Sequence, residues 1–270
     1  MKKLLTLLAS LGALVVFLYI NNNWIMTTNH TYESAKVPSA FDGFRITHIT
    51  DLHDAMFGEN QTRLVEKVKA TKPDVIFITG DLVDSRRYDL QSSLLAVEQF
   101  IEIADVYYVL GNHEVALNEM DTIYRELMGL GVNILPNTAV TLERDGQQLA
   151  IAGIEDPLMG NEADWMIEQA TKEVEDTFTL LLSHRPEEFE TYVASGVDVV
   201  FTGHAHGGQV RLPFIGGLVA PTQGLFPKYT AGVHAEKDTT MFISRGLGNS
   251  VFPYRIFNLP EIITMELKSM

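Results

Sequence analysis

Five short polar clusters follow one another along this 270-residue chain: Asp51 with His53, Asp81 with Asp84, Asn112 with His113 and Glu114, then His184, then His204 with His206. Carboxylate oxygen, imidazole nitrogen and amide oxygen are the donors that a divalent ion of borderline hardness takes. Two such ions held close together usually share a carboxylate, acidify a water and neutralise charge developing on a phosphoryl group. Asp81 directly follows Gly80 at the end of a wholly apolar run, a position suited to bridging. Each cluster alone says little, because Asp-x-His and Gly-Asn-His segments are commonly caps or turns. Their joint occurrence carries the weight: five of the eight histidines lie in the clusters, each after an apolar run.

Those runs predict the elements that must hold the clusters. Apolar, β-branched segments at 44–50, 75–79 and 106–110 alternate with amphipathic helical patterns at 61–70, 90–103 and 121–130, a βα alternation that builds a parallel sheet covered by helices. Short strands are expected at 132–135, 139–143 and 148–154, the last two joined at Asp145-Gly146, a hairpin signal. A helix over 162–172, a strand over 178–182, a helix over 186–195 and a strand over 197–201 follow, with later strands near 240–244 and 262–267. Two sheets packed together with helices outside accommodate both halves. The clusters then sit at the strand ends, where open α/β proteins keep their chemistry.

Composition narrows the classes. No cysteine is present, so disulfides and thiolate ligands are excluded and any metal must be held by nitrogen and oxygen. The balance of 20 Lys+Arg against 35 Asp+Glu, a net −15, argues against general nucleic-acid binding. Small or singly tethered anionic substrates stay possible, since acids that hold cations are partly neutralised. Lys2 and Lys3 precede an uncharged stretch from Leu4 to Ile20 with no small-residue cleavage site, then Trp24. Residues 1–24 are expected to be an uncleaved signal anchor spanning the cell membrane once, lysines inside and the bulk of the chain outside the cytoplasm. Residues 25–43 read as a linker and 44–270 as the functional domain.

The order DxH, GDxxD, GNHE, H, GHxH resembles the calcineurin-like metallophosphoesterase superfamily, from Asp51 to the Pro260-Glu261 region. The string from Gly203 to Pro213, together with Ser244 to Gly248, resembles a bacterial branch of membrane-associated phosphohydrolases, some of which act on cell-envelope or lipid-linked substrates. The resemblance implies an α/β (α+β) fold, a four-layer β-sandwich of two mixed sheets flanked by helices. It implies two divalent ions, one held by Asp51, His53, Asp81 and His206, the other by Asp81, Asn112, His184 and His204. It also implies that His113 stands over the leaving-group oxygen as proton donor, with Asp84 and Glu114 orienting ligands or His113; turn or cap roles suit those two acids equally. Purple acid phosphatases of the superfamily carry a tyrosine where this chain has Asp84, which disfavours a ferric-tyrosinate site and leaves manganese, zinc or ferrous iron.

The implied activity is hydrolysis of a phosphodiester, phosphomonoester or pyrophosphate in the cell envelope, lipid- or nucleotide-linked. Two other readings remain: a catalytically silent binding module on the same fold, and a cyclic-nucleotide phosphodiesterase. Arg211 and Arg245 are candidate phosphate contacts because they lie in family-like strings, whereas Arg86, Arg87 and Arg255 read as surface residues. The loop over 210–225 carries Leu212, Phe214, Ile215, Leu218, Val219 and Leu225, which suits either a bilayer or packing on the loop's own core.

Overall fold

β-branched and aromatic residues that are buried on both faces need cover on both sides, and the chain provides it with two sheets between two helical layers. The computed structural model describes residues 1–270. In chain order the first half gives α1 (Lys2–Asn23), β1 (Met26–Ser34), β2 (Arg45–Ile49), α2 (Thr62–Thr71), β3 (Val75–Thr79), α3 (Leu90–Phe100), β4 (Asp105–Val109), α4 (Asn112–Leu117), α5 (Met120–Leu130) and β5 (Asn133–Ile134). The second half gives β6 (Thr138–Arg144), β7 (Gln147–Gly153), α6 (Ala163–Thr171), β8 (Thr179–Leu182), α7 (Phe189–Ser195), β9 (Val199–Thr202), β10 (Gly232–Glu236), β11 (Thr239–Ile243) and β12 (Glu261–Ser269).

One six-stranded sheet has the order β1-β12-β2-β3-β4-β5, the other β10-β11-β9-β8-β7-β6. Strands β2 to β5 run parallel, as do β7, β8, β9 and β11, while β12, β6 and β10 supply the antiparallel pairings that make both sheets mixed. Alternation decides which layer each side chain joins. Val75 and Phe77 enter the core between the sheets, and Ile76 and Ile78 pack beneath α2 and α3 with Leu64, Val68 and Val97. On the far side Met166, Ile167, Phe189 and Tyr192 from α6 and α7 cover Leu181, Val200 and Met241. The expected sandwich of two mixed sheets flanked by helices is the observed fold.

One expectation is corrected. Residues 26–34, read as part of a linker, form β1, which pairs in parallel with β12 along its whole length. The inward face of this edge strand is polar and aromatic: His30 stacks on Phe242 and Tyr32 on Phe178, and Thr28 bonds Glu261. A period of two carried by Thr, His and Tyr leaves no hydrophobic alternation to read. The expected hairpin joins β6 to β7, with Asp145 and Gly146 both at positive φ, 48° and 73°.

His48 lies within the core between the sheets, its ring edge-on to Phe201 and its Nε2 2.7 Å from Thr79 Oγ1. Burial pushes its imidazole down to about 3 from 6.5. The folded chain therefore refuses a proton that the unfolded chain accepts between those values, so stability falls as pH drops through that window. The expected slope is up to about 1.4 kcal/mol per pH unit from this group. Urea unfolding of His48→Gln should show a shallower acid-side decline than the unchanged chain; identical slopes would remove His48 from the account.

Candidate metal centre

Parallel strands deliver their C-terminal ends to one edge, and here both sheets meet there. Asp51 N–H donates to Gly80 O at 3.1 Å and His53 N–H to Asp81 O at 3.0 Å, tying the turn after β2 to the turn after β3. Across the sandwich, Gly203 N–H donates to His184 O, and His204 N–H donates to the Asp51 carboxylate, 3.1 Å from each oxygen. The turns are tight enough that Asp51, His53, Asp81, His204 and His206 all take left-handed φ values, between 46° and 62°. Such conformations cost of order 1–3 kcal/mol each and persist only where the surroundings over-determine them. Gly80, at φ 84°, is required for a second reason: a Cβ there would collide with the backbone of Gly111, the residue that leads from β4 into Asn112.

The side chains converge in three groups, His53, Asp84 and His113 forming one and the other two sharing Asp81. Asp51, His53, Asp81 and His206 have donor atoms within 4.8 Å of one another, and so do Asp81, His184 and His204. Asp81 Oδ2 is 3.6 Å from His53 Nε2 and 3.2 Å from His184 Nε2. His206 Nε2 is 3.1 Å from His53 Nε2 and 3.3 Å from Asp51 Oδ1. Asn112 Oδ1 and His204 Nδ1 each approach His184 Nε2 to 3.2 Å.

The donor chemistry fits divalent ions. Burial depresses His53 to about 3 and drives His204 and His206 well below the usual imidazole range, so these rings present lone pairs at neutral pH. Burial would also depress His184, but the Asp81 carboxylate outweighs it and raises that ring to about 10. Burial works to raise Asp81, and the neighbouring histidines, His184 first, override it and hold the carboxyl well below its ordinary value. Burial, with the Asp81 charge behind it, pushes Asp51 up to about 7. A pair of buried carboxylates pressed among imidazoles that are mostly neutral is an arrangement that cations complete.

Around this cluster the remaining acids divide their work. The Glu114 carboxylate accepts from the backbone N–H of Asp81 at 2.9 Å, Val83 at 3.2 Å and Gly111 at 2.8 Å, clasping the two turns together. Asp84 accepts from Arg86 N–H at 2.8 Å and from the Arg87 guanidinium, and lies 3.7 Å from His113 Nδ1. His113 donates its backbone N–H to Asp81 Oδ1 at 2.8 Å. Its ring Nδ1 accepts the Ser85 backbone N–H at 3.0 Å, and since that donor cannot reverse, the neutral ring carries its hydrogen on Nε2. Nε2 in turn lies 3.2 Å from Ser250 Oγ.

Arginine placement departs from expectation. Arg245 pairs with Glu261 at the start of β12 at 3.0 Å, and Arg211 donates to Gly207 O at 2.8 Å. Arg255, read as a surface residue, is fully buried, donates to Gly248 O and Arg245 O, and reaches within 3.4 Å of His206 Nδ1. Arg185, not singled out in the sequence, holds Asp156 through two bonds of 2.6 and 2.8 Å and places Nη1 2.9 Å from His204 Nε2. A guanidinium only donates, so here His204 Nε2 accepts; a cation on Nδ1 would require the ring hydrogen on Nε2 and Arg185 Nη1 turned away from it. Only its position next to His184 could have flagged Arg185.

The calcineurin-like phosphoesterase family model matches residues 44–208, which include every one of the five clusters. The chain belongs to that family. Calcineurin-like phosphoesterases use two divalent ions, and the buried Asp/His cluster of this one suits such a pair. The phosphoesterase is 32% identical to the uncharacterized metallophosphoesterase YkuE of Bacillus subtilis over 260 residues, 93% of this chain and 88% of the relative. It is 27% identical over 259 residues to the phosphodiesterase YaeI of Escherichia coli, covering 92% of this chain and 90% of that one. Its fold is similar to that of the Thermus thermophilus protein TT1561, with a TM-score of 0.52 at 12% identity over 76% of this chain and 90% of that one.

Proposed function

We propose that this phosphoesterase hydrolyses its ester with two divalent ions, one held by Asp51, His53, Asp81 and His206 and the other by Asp81, Asn112, His184 and His204. One observation supports the pairing above all: a single oxygen, Asp81 Oδ2, faces an imidazole nitrogen of each donor group, at 3.6 and 3.2 Å. Bound there, the ions would acidify a water and offset charge on the phosphoryl oxygens. The chain's own residues do the rest. Glu114 fixes the Asp81 turn through backbone donors, and the His113 backbone N–H holds Asp81 Oδ1 so that Oδ2 stays turned between the two groups. His113 presents Nε2–H at the mouth, where a departing alkoxide can take the proton. Manganese, zinc and ferrous iron all suit these donors.

The name of the Escherichia coli relative favours a diester among the substrates. In α1, one helix of 22 residues with a mean hydropathy of 2.2, the chain has a segment long and apolar enough to cross a membrane. We read it as the anchor, with the metal centre outside the cytoplasm; a C-terminal alkaline phosphatase fusion, active only in the periplasm or beyond, tests the orientation.

Metal removal tests the pair. Dialysis against EDTA should abolish hydrolysis of bis(p-nitrophenyl) phosphate, and manganese should restore it with two equivalents bound. Each ion at a hundredfold excess over its Kd should add about 2.7 kcal/mol to unfolding free energy, read as a rise in Tm. Full turnover by metal-free protein would end the proposal.

A further inference from the structure

Every one of the 35 aspartates and glutamates lies outside three segments: residues 1–32, 199–235 and 239–260. Those segments keep basic residues, Lys2, Lys3, Arg211, Lys228, Arg245 and Arg255, in a chain whose net charge is −15. The fold brings parts of all three together around the C-terminal end of α1. Phe17 of α1 stacks edge-on against Phe257 at 5.1 Å. Asn22 Oδ1 accepts from Asn249 Nδ2 at 2.8 Å and from Arg255 N–H at 3.1 Å, and Asn21 Oδ1 accepts from Asn258 N–H at 3.3 Å. The loop over 209–226 joins the same body, with Arg211 N–H donating to Ile256 O at 3.0 Å and Gln209 Nε2 to Phe252 O at 2.9 Å.

We infer that the loops over 209–226 and 249–258 are seated on an anionic bilayer, so that the mouth of the metal centre opens at the membrane surface. The inference rests on α1 crossing a bilayer and on the phosphoesterase reading. Depth carries it first. Phe17 lies six residues before the last residue of α1, about 9 Å along the helix axis. Val15, Leu18 and Tyr19 line a groove of about 460 Å³ with Met56, Pro253 and Tyr254. Residues that touch α1 at these levels lie at headgroup depth or below when the helix spans. Exposure carries it second: Phe214 is 109% exposed, Val251 71%, Leu225 70% and Phe226 62%, an apolar rim with no protein cover. Charge adds less: the loop over 209–226 carries no acid of its own and runs into the exposed Lys228, whereas Arg245 is paired with Glu261 and Arg255 is buried.

The rim is also the lip of the metal centre. Asn258 Nδ2 donates to His206 O at 2.7 Å, Gly248 N–H to Asp51 O at 2.6 Å, and Ser250 Oγ sits 3.2 Å from His113 Nε2. The mouth of the donor cluster therefore opens at headgroup height, with the α1 groove reaching Gly248 and Asn249 beside it.

Bromolipid quenching of the full-length chain tests this in phosphatidylcholine/phosphatidylglycerol vesicles. The chain has two tryptophans, Trp24 at the end of α1 and Trp165 on the distant α6. In W165F the remaining Trp24 reports the anchor; in W24F/W165F/F214W, and separately W24F/W165F/I215W, the single tryptophan reports the rim. The expected result is strong quenching at Trp24 and at both rim positions, weakening at the rim when phosphatidylglycerol is left out. Quenched Trp24 with unquenched rim positions overturns the seating while leaving the anchor intact. No quenching anywhere removes the anchor and the inference with it. Rim emission that is blue-shifted with protein concentration yet blind to bromolipid gives the surface to a second copy of the chain instead.

Discussion

Replacing Asp81 by alanine should reduce kcat/KM for bis(p-nitrophenyl) phosphate by about a thousandfold or more, the largest loss expected with that ester. The reason is that Asp81 alone belongs to the donor groups of both proposed ions, and its second oxygen is held by the His113 backbone N–H. Removal takes one donor from each proposed ion and frees the loop that carries His113, the proposed proton donor. Asp81→Asn separates these effects: its amide oxygen can still accept from His113 N–H, whereas the bridging charge is gone. Bound metal measured by mass spectrometry should fall below two equivalents in both variants. Stability should fall as well in the absence of ions, because the neighbouring histidines, His184 first, hold the Asp81 carboxyl well below its ordinary value, so its charge stabilises the fold at neutral pH. A D81N chain that stays folded with a lowered metal-free Tm, binds fewer than two equivalents of metal and turns over a thousandfold more slowly is the expected signature. Retention of more than about a tenth of the activity in D81A would refute the shared-carboxylate arrangement.

Much of this centre was legible in the sequence because chemistry and topology leave the same trace. Parallel strands end on one edge, so an apolar run followed by Asp, Asn or His places its polar residue there, and five such junctions specify a cluster before any contact is known. What was not legible depends on pairings between distant segments. Arg255 looks like a surface residue until Gly248, Arg245 and Asn22 close over it, and none of these is its sequence neighbour. Arg245 sits in a family-like string, yet Glu261 claims its guanidinium. β1 was hidden for the opposite reason, its edge position demanding no aliphatic inward face. The roles of Glu114 and Asp84, left open between turn acid and His113 partner, follow from hydrogen bonds: Glu114 clasps backbone donors and Asp84 takes Arg86, Arg87 and the flank of His113. The loop over 210–225, left open between bilayer and core, turns most of its large side chains outward.

His113→Ala should lower kcat about 10²- to 10⁴-fold while two equivalents of metal remain bound. The prediction follows from where the ring's hydrogen must be. Ser85 N–H can only donate, so Nδ1 accepts and Nε2 holds the hydrogen, 3.2 Å from Ser250 Oγ at the mouth of the centre. His113 faces His53 edge-on, with ring centroids 4.5 Å apart, close enough to reach an oxygen leaving a phosphorus held by the ions without being a donor to them in the proposed assignment. Proton donation matters in proportion to how poorly the leaving group bears negative charge. The loss in H113A should therefore be large for an alkyl ester and small for a p-nitrophenyl ester, whose phenolate departs without help. A merely structural role for His113 would lower both rates by one factor; the backbone N–H that holds Asp81 Oδ1 is kept in alanine, so metal content should not change in either case. His113→Gln keeps that backbone bond and a side-chain donor of similar reach, so an intermediate rate with an intermediate leaving-group dependence is expected. Equal losses for the two esters in H113A would assign the proton to another donor, and the Ser250 hydroxyl, next along the same hydrogen-bonded line, would be the group to replace.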